Sequence, residues 1–442
     1  DRDSTFASAY YRLTQAYGWM EAGGDAAERA ELARRALKEN LPARDRLILE
    51  GEEALATGDA AGVTLMEDAV KRYPDDPDAW VLLGEHYVHQ GDRLNRTLDD
   101  TWRAFSTAAQ LDPTFSPTYI HYAETAIRRG DVEQARSLIA KYHALSVGTH
   151  QGLALTLAFD LPFGDAAARA AAVAALDTLA PHTASDLTNG LAFTAAGLDA
   201  LQAVGQALWS RTRRPRWGTT LFAAHLSRGR LAQARGVMGE EGAVSPAAAG
   251  WVLGLASPEV PPRRSAPGAC DGDAVCLLLL GARGVDDGDA RAVAAASGAF
   301  DASLERASAE ANSGWGEWLQ AGRDALGAYE AWRKGDAQGA FQALAAAQRG
   351  PGGSRDIGAV MRLWMGQIAA QEGRAADAES YLVSLEKDAL LGWYGVLLQA
   401  RLHADAGDGA GAATEYGRFL ELWSDAPTDH PFVREAKEAI GA

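Results

Sequence analysis

The chain has 442 residues, 47% of them apolar, with a formal net charge of −17 at pH 7 and a pI near 5.0. Such an acidic chain argues against nucleic acid as a partner, because phosphate binding needs clustered Lys and Arg. It argues equally against docking on anionic lipid, and no apolar run of about 18 residues is present that would span a membrane.

A ladder of glycines divides the chain, and each glycine lies between two alanine-rich segments with helical periodicity. The first steps are 34, 33, 39, 34, 33 and 32 residues, and the last step is again 34. Most of these glycines precede Asp. Glycine can close one helix in the left-handed conformation, and Asp can accept from the first N–H groups of the next helix. The ladder consists of Gly24, Gly58, Gly91, Gly130, Gly164, Gly197, Gly229, Gly288, Gly335, Gly373 and Gly407.

In chain order, the spacing of apolar residues predicts a pair of helices around each of these glycines. Pro74 and Pro181 are predicted to end helices, because proline cannot continue one. Pro431–Ile440 is predicted to form a short capping helix with a polar outer face. The predicted pairs fall at residues 5–40, 44–73, 80–113, 119–139, 150–181, 184–210, 217–239, 273–310 and 315–348, with two further pairs that turn at Gly373 and Gly407.

The third pair carries the clearest pattern, in which small and large residues are complementary across the two helices. Small Gly84 and Ala108 let the helices approach, and large side chains fill the remaining space: Trp80, Leu83, Tyr87 and Phe105. With the period near 34, this pattern resembles the tetratricopeptide (TPR) consensus. The resemblance implies an all-α, right-handed superhelical solenoid of about ten or eleven TPR or TPR-like pairs with a C-terminal capping helix.

The middle of the ladder is irregular, since the step from Gly229 to Gly288 is far longer than the others. The extra length includes Pro258, Pro261, Pro262 and Pro267, which exclude a helix and predict an extended loop. We therefore expect five regions: N-terminal TPR repeats (1–148), degenerate repeats (149–256), the Pro-rich loop with both cysteines (257–276), further degenerate repeats (277–349) and C-terminal repeats with the capping helix (350–442).

Cys270 and Cys276 are the only cysteines. Their position in a Gly/Asp loop predicts a small local disulfide, and two cysteines alone cannot form a structural zinc site. The alternative is two unrelated thiols, with Cys276 buried at the start of a helix. A disulfide would place this part of the chain outside the reducing cytoplasm.

The TPR resemblance also predicts a binding face, because such proteins bind extended peptides or partner helices along the concave surface lined by the first helix of each pair. By position this face contains Tyr11, Gln15, Trp19, Glu85, His89, Ile120, Glu124 and Arg128. Exposed aromatics among them would be good anchors. The alternative is that they pack on adjacent repeats.

Two other groups of residues are of types that can bind a metal or an anion. His86 and His89 have a spacing that can present two metal ligands, but we expect one packed and one exposed histidine and no bound metal or other cofactor. Arginine suits bidentate binding of carboxylate or phosphate, so a basic cluster is either a binding site or a solvated loop paired with acidic neighbours. That cluster comprises Arg211, Arg213, Arg214 and Arg216.

No catalytic motif stands out in the sequence, so a non-enzymatic scaffold that binds a protein or peptide is the favoured function. Segments 6–13, 73–80 and 416–423 resemble the C-terminal TPR region of bacterial membrane-anchored serine/threonine kinases and related regulators. That resemblance implies an extracytoplasmic sensor part of a larger anchored protein, and we expect the chain to be a processed part of a longer polypeptide. The alternatives are a self-assembling subunit of a filament or surface layer and, for location, the cytoplasm.

Overall fold

The computed structural model describes residues 41–257, 270–310, 312–350 and 355–441, together with Ala9 and Leu13. These residues form 22 α-helices and two short 3₁₀ turns, and none of them lies in a strand. Two compact units divide the chain. Unit 1 contains the described residues up to Ala168 together with Leu179–Ala192, and unit 2 contains Arg169–Thr178 and the described residues from Phe193 onwards.

Nine helices of the described part of the chain precede Phe193. Pairing between consecutive helices follows the predicted plan from α1 with α2 to α5 with α6, and a 3₁₀ turn at Gly91–Leu94 holds the extra residues of the third pair. The helices are α1 (Ala43–Thr57), α2 (Ala61–Arg72), α3 (Pro77–His89), α4 (Leu98–Leu111), α5 (Thr118–Arg128), α6 (Val132–Leu145), α7 (His150–Phe163), α8 (Ala166–Ala175) and α9 (Pro181–Gly190).

Thirteen further helices follow among the described residues. The last is the predicted capping helix, with the predicted bounds. They are α10 (Ala195–Thr212), α11 (Pro215–Ser227), α12 (Leu231–Gly239), α13 (Pro246–Ala256), α14 (Ala274–Asp286), α15 (Ala290–Ala309), α16 (Ser313–Arg333), α17 (Ala337–Arg349), α18 (Arg355–Gln371), α19 (Ala375–Ser384), α20 (Gly392–Asp405), α21 (Gly409–Leu422) and α22 (Pro431–Ile440).

The glycine ladder marks most of the turns for the predicted reason. Seven of the ten described ladder glycines have a φ between 67° and 101°, which favours glycine because it has no Cβ. The Asp that follows the glycine caps the next helix at α6, α15, α17 and α21, where its carboxylate accepts from the backbone N–H two or three residues on.

Two sequence predictions about turns are wrong. Gly197 lies inside α10, because Thr194 caps that helix earlier and accepts from the Gly197 N–H. Pro181 does not end a helix but begins α9 at the first helical position, where its missing N–H costs nothing. Helix α13 begins in the same way at Pro246 and was not predicted.

The small-against-large packing of the third pair is present in α3 and α4. A Cβ built on Gly84 would lie 2.6 Å from two ring carbons of Phe105. Phe105 and Ala108 are completely buried. The absence of a side chain at position 84 therefore sets how closely the two helices approach.

Unit 2 contains contacts that a simple open array would not have, because its first helices also touch its last ones. The buried guanidinium of Arg228, at the end of α11, donates to the carbonyl oxygens of Glu421 (3.0 Å) and Leu422 (2.6 Å) at the end of α21. Nε2 of His430 lies 2.8 Å from the carbonyl oxygen of Ala256, at the end of α13. Within unit 2 the chain thus returns on itself.

Candidate functional site

The first helices of successive pairs in unit 1 form a row, since α1 contacts α3, α3 contacts α5, and α5 contacts α7. In each of α1, α3 and α5, a glutamate directly follows a small buried residue: Glu52, Glu85 and Glu124. Equivalent positions of the repeat therefore place three carboxylates on neighbouring helices. Helix α9 packs across α5 and α7.

Around Glu85, the row brings two helices together in a cluster of carboxylates and imidazoles. Glu85 and His89 are one turn apart on α3, so they share a face. Oε2 of Glu85 lies 3.6 Å from Nε2 of His89 and 3.5 Å from Nε2 of His121 on α5. The two imidazole rings meet edge to face with centroids 5.3 Å apart. We call Glu85, His89 and His121 the histidine cluster.

A second carboxylate fixes the orientation of His121 from behind. Nδ1 of His121 donates to Oε2 of Glu124 at 2.5 Å, which leaves Nε2 directed at Glu85. Glu124 is 7% exposed, because Gly190 of α9 lies against its side chain. The neighbouring Asp186 is a further negative group on α9.

The electrostatics of the histidine cluster follow from this crowding. Burial alone would lower the pKa of His121, but the carboxylates of Glu85 and Glu124 outweigh burial and raise it to about 9. Burial opposes ionisation of Glu85, yet the positive charge of His121 and the hydrogen bond from His89 lower its pKa. Burial raises the pKa of Asp186, which His150 only partly offsets.

One oxygen of the cluster stands out. Glu85 is 6% exposed, and its Oε1 is buried without a hydrogen-bond partner. Leaving a carboxylate oxygen in this state costs free energy. The cluster therefore has the chemistry of an acceptor for a cation or a strong hydrogen-bond donor.

The structure separates the two histidines that are close in sequence. His86 is fully buried on the other side of α3, where Nδ1 lies 2.9 Å from Oε1 of Gln90 and Nε2 lies 3.0 Å from the carbonyl oxygen of Gly51. His89 faces the cluster, with 41% of its side chain exposed. Sequence reasoning missed His121, whose signal was its position three residues before Glu124.

The other residues predicted for the binding face are placed as follows. Ile120 and Arg128 are half-buried on α5. Glu85 and Glu124 are buried against histidines, as described above. Tyr11, Gln15 and Trp19 lie outside the described residues.

The arginines around α10 and α11 contact groups of their own unit. Arg211 donates to the carbonyl oxygen of Asp177 at 2.7 Å. Arg213 pairs with Glu240 at 2.8 Å and stacks on Trp209, and Arg216 lies over the ring of Trp217. Arg214 is exposed at the start of α11. Three of the four guanidiniums thus have an acceptor or an aromatic ring beside them.

The two cysteines are joined. Cys270 and Cys276 form a disulfide with Cα atoms 5.5 Å apart, which links the turn before α14 to its first helical turn. Both are buried. Most of the Pro-rich segment, residues 258–269, lies outside the described residues.

The sequence matches no known protein-family profile and no curated protein. Among solved structures, the chain is similar to the TPR domain of P58(IPK) with 9% identity and a TM-score of 0.24, covering 90% of this chain and 99% of that one. It is similar to a chain of the APC/C hetero-tetramer Cut9-Hcn1 with 12% identity and a TM-score of 0.29, covering 98% and 96%. A third likeness is to a chain of Naa15/Naa10 bound to HypK-THB, with 13% identity, a TM-score of 0.27 and coverage of 93% and 68%.

Because these TM-scores are low, the fold is defined by the helices of this chain. The period near 34, the positive-φ glycines between paired helices and the Gly84–Phe105 packing define an all-α solenoid of TPR-like repeats. No helix in the described part of the chain combines the length and the hydropathy that crossing a membrane would take.

Proposed function

We propose that this chain is a non-enzymatic scaffold that binds a segment of another protein along the first helices of unit 1. The observation that carries the proposal is the row of α1, α3 and α5, whose equivalent positions repeat from helix to helix. A repeating row of this kind suits an extended or helical partner, because successive side chains of the partner meet equivalent positions.

The charge of the row favours a basic partner. Glu52, Glu85 and Glu124 occupy the same position of three successive repeats, and the whole chain has a net charge of −17. Lys or Arg side chains of a partner would find complementary potential there, which speeds encounter and selects against acidic partners. His89 and Ile120 offer accessible polar and apolar contacts beside these carboxylates.

The test is a selection of peptides on the full-length chain, followed by variants. Random 16-residue peptides displayed on phage are selected at low salt, and the enriched peptides are measured by isothermal titration calorimetry. Ile120→Asp should weaken binding by at least tenfold. The matched control is Leu111→Asp, which introduces the same charge at an exposed leucine on α4. Enriched peptides that bind both variants alike, or no enrichment in Lys and Arg, would contradict the proposal.

We further propose an extracytoplasmic location, as the sensor part of a larger anchored protein. The Cys270–Cys276 bond supports it, because disulfides persist in oxidising compartments. The check is alkylation of the protein in intact cells of its native source before lysis. Two unmodified cysteines that react only after reduction are expected, whereas two thiols alkylated without reduction would place the chain in the cytoplasm.

The self-assembling subunit is the competing function. It predicts regular polymers in negative-stain microscopy and a light-scattering mass that rises with concentration. The scaffold predicts discrete particles of constant mass under the same conditions.

A further inference from the structure

We propose that the histidine cluster is a binding site for a divalent transition metal, with Zn²⁺ as the occupant that its ligands suit best. Glu85, His89 and His121 supply one carboxylate oxygen and two imidazole nitrogens whose ligand atoms all lie within 4.8 Å of one another. Two imidazoles and a carboxylate are a known ligand set for zinc, and three protein ligands leave a fourth tetrahedral position open.

The distances suit such a site with little movement. Tetrahedral Zn²⁺ with bonds of about 2.0–2.1 Å separates its ligand atoms by about 3.4 Å. Oε2 of Glu85 lies 3.6 Å from Nε2 of His89 and 3.5 Å from Nε2 of His121. The third pair, the ring nitrogens of His89 and His121, lies within 4.8 Å, and the exposed His89 side chain is free to adjust this distance when a metal binds.

The surroundings of His121 match those of a metal ligand. Its Nδ1 donates to Glu124 at 2.5 Å, so in the neutral ring the proton stays on Nδ1 and Nε2, which faces Glu85, is the nitrogen left to bind a metal. A carboxylate that orients a ligating imidazole in this way is the usual second partner of histidine at zinc sites. Gly190 of α9 lies close to this carboxylate, since a Cβ built on it would be 3.3 Å from Cγ of Glu124.

An independent observation points to a cation as the ligand. Oε1 of Glu85 is buried and has no hydrogen-bond partner, on a side chain that is 8% exposed. A bound cation would compensate the buried carboxylate through either oxygen. The cluster is also the one group of three or more possible ligands of this kind among the described residues.

A proton on Nε2 of His121 must leave before this atom can bind a metal, so acid should weaken Zn²⁺ binding. The charged groups near this ring are Glu85 and His89 on α3, Glu124 on α5 and Asp186 on α9.

The experiment uses the full-length chain without a histidine tag, stripped of metal by a chelator that is then removed. Zn²⁺ is titrated by calorimetry at pH 7.5. One Zn²⁺ should bind per chain, and Co²⁺ should give the intense visible absorption of a tetrahedral site. Mg²⁺ should not bind, because it prefers six oxygen ligands.

Variants assign the site. Glu85→Gln and His89→Ala should each weaken Zn²⁺ binding at least a hundredfold, and Glu124→Gln should weaken it roughly 10–100-fold because it only orients His121. His89 is exposed, so its replacement leaves the core intact even if Glu85→Gln fails to fold. The matched control is His143→Gln, an exposed histidine on α6 whose Nε2 lies beside Thr156.

Three outcomes would overturn the proposal. They are the absence of Zn²⁺ binding near equimolar ratio, binding that His89→Ala leaves unchanged, and binding that His143→Gln weakens as much as His89→Ala. The site stands or falls independently of peptide binding, since no peptide is present in the experiment.

Discussion

Replacing Arg228 with alanine would remove the most deeply buried of the charged contacts that join the beginning of unit 2 to its end. Besides the carbonyl oxygens at the end of α21, the guanidinium contacts Ser424 Oγ at 3.1 Å. It also pairs with Asp199 at 3.1 Å and with Asp425 at 3.2 Å. Cations suit the end of a helix because the last carbonyl groups carry partial negative charge.

The loss in free energy of unfolding in Arg228→Ala follows from the burial of Arg228 and from the ion pairs that remain without it. Removing one partner of a buried charge network typically costs about 3–5 kcal/mol. Asp199 and Asp425 are partly exposed and keep Arg230 as a partner, so we expect the lower end of this range, about 3 kcal/mol. Unit 2 spans about 260 residues, for which a loss of this size corresponds to roughly 5 °C in melting temperature if the unit unfolds cooperatively.

Thermal unfolding and hydrogen exchange of the full-length chain would check this prediction together. In Arg228→Ala, the backbone amides of α21 and α22 should exchange faster, while those of unit 1 should not change. The matched control is Arg323→Ala, which removes a single ion pair to Asp301 (3.2 Å) on a more exposed helix face and should cost below about 1 kcal/mol. Arg228→Lys should lie between the two, because it keeps the charge but loses the planar fork.

The reasoning would be refuted if Arg228→Ala and Arg323→Ala melted at the same temperature and the exchange of α21 stayed unchanged. Such a result would mean that the carbonyl groups at the end of α21 find water at no cost. The contacts that Arg228 makes between the early and late helices of unit 2 would then contribute nothing to its stability.

Two further predictions concern unit 1 and glycine packing. His121 has a folded pKa of about 9 against about 6.5 when unfolded, so its stabilisation is complete below pH 6.5 and is lost as the pH rises through 9. In metal-free buffer, the free energy of unfolding measured by urea titration should fall by up to about 3 kcal/mol as the pH rises over this interval. In His121→Gln, the free energy of unfolding should depend less on pH. An equal dependence on pH in the two proteins would contradict this prediction. Gly84→Ala should destabilise by about 1–3 kcal/mol, because its Cβ would meet Phe105 at 2.6 Å, whereas Gly417→Ala on α21 meets nothing within 4 Å and should stabilise by about 0.5–1 kcal/mol. Thermal melts show whether each variant lowers or raises the melting temperature. An unchanged melting temperature in Gly84→Ala would show that α3 and α4 can move apart.

Only some residues of the candidate site could be predicted from the sequence. The repeat pattern identified Glu85, His89 and Glu124, because each occupies a fixed position relative to the small residue of its helix. It could not assign His121 to the same cluster, since the two residues that meet at 3.5 Å are 36 positions apart. Nor could it separate His86 from His89, because spacing along one helix does not reveal what the neighbouring helices present.

The sequence by itself determined the elements of this protein. The glycine ladder, the Asp caps and the Gly84–Phe105 complementarity are local or nearest-neighbour effects, and these are the interactions that define a helical repeat. Where a competing local signal was stronger, as with Thr194 before Gly197, the predicted turn was wrong.

Only the tertiary structure decided which distant groups meet. Helix α9 covers Glu124, and Arg228 reaches the carbonyl oxygen of Leu422, 194 residues further along the chain. Such contacts depend on small rotations summed over several repeats. No residue pattern within one repeat encodes that sum, so the histidine cluster and the return of unit 2 on itself became visible only in three dimensions.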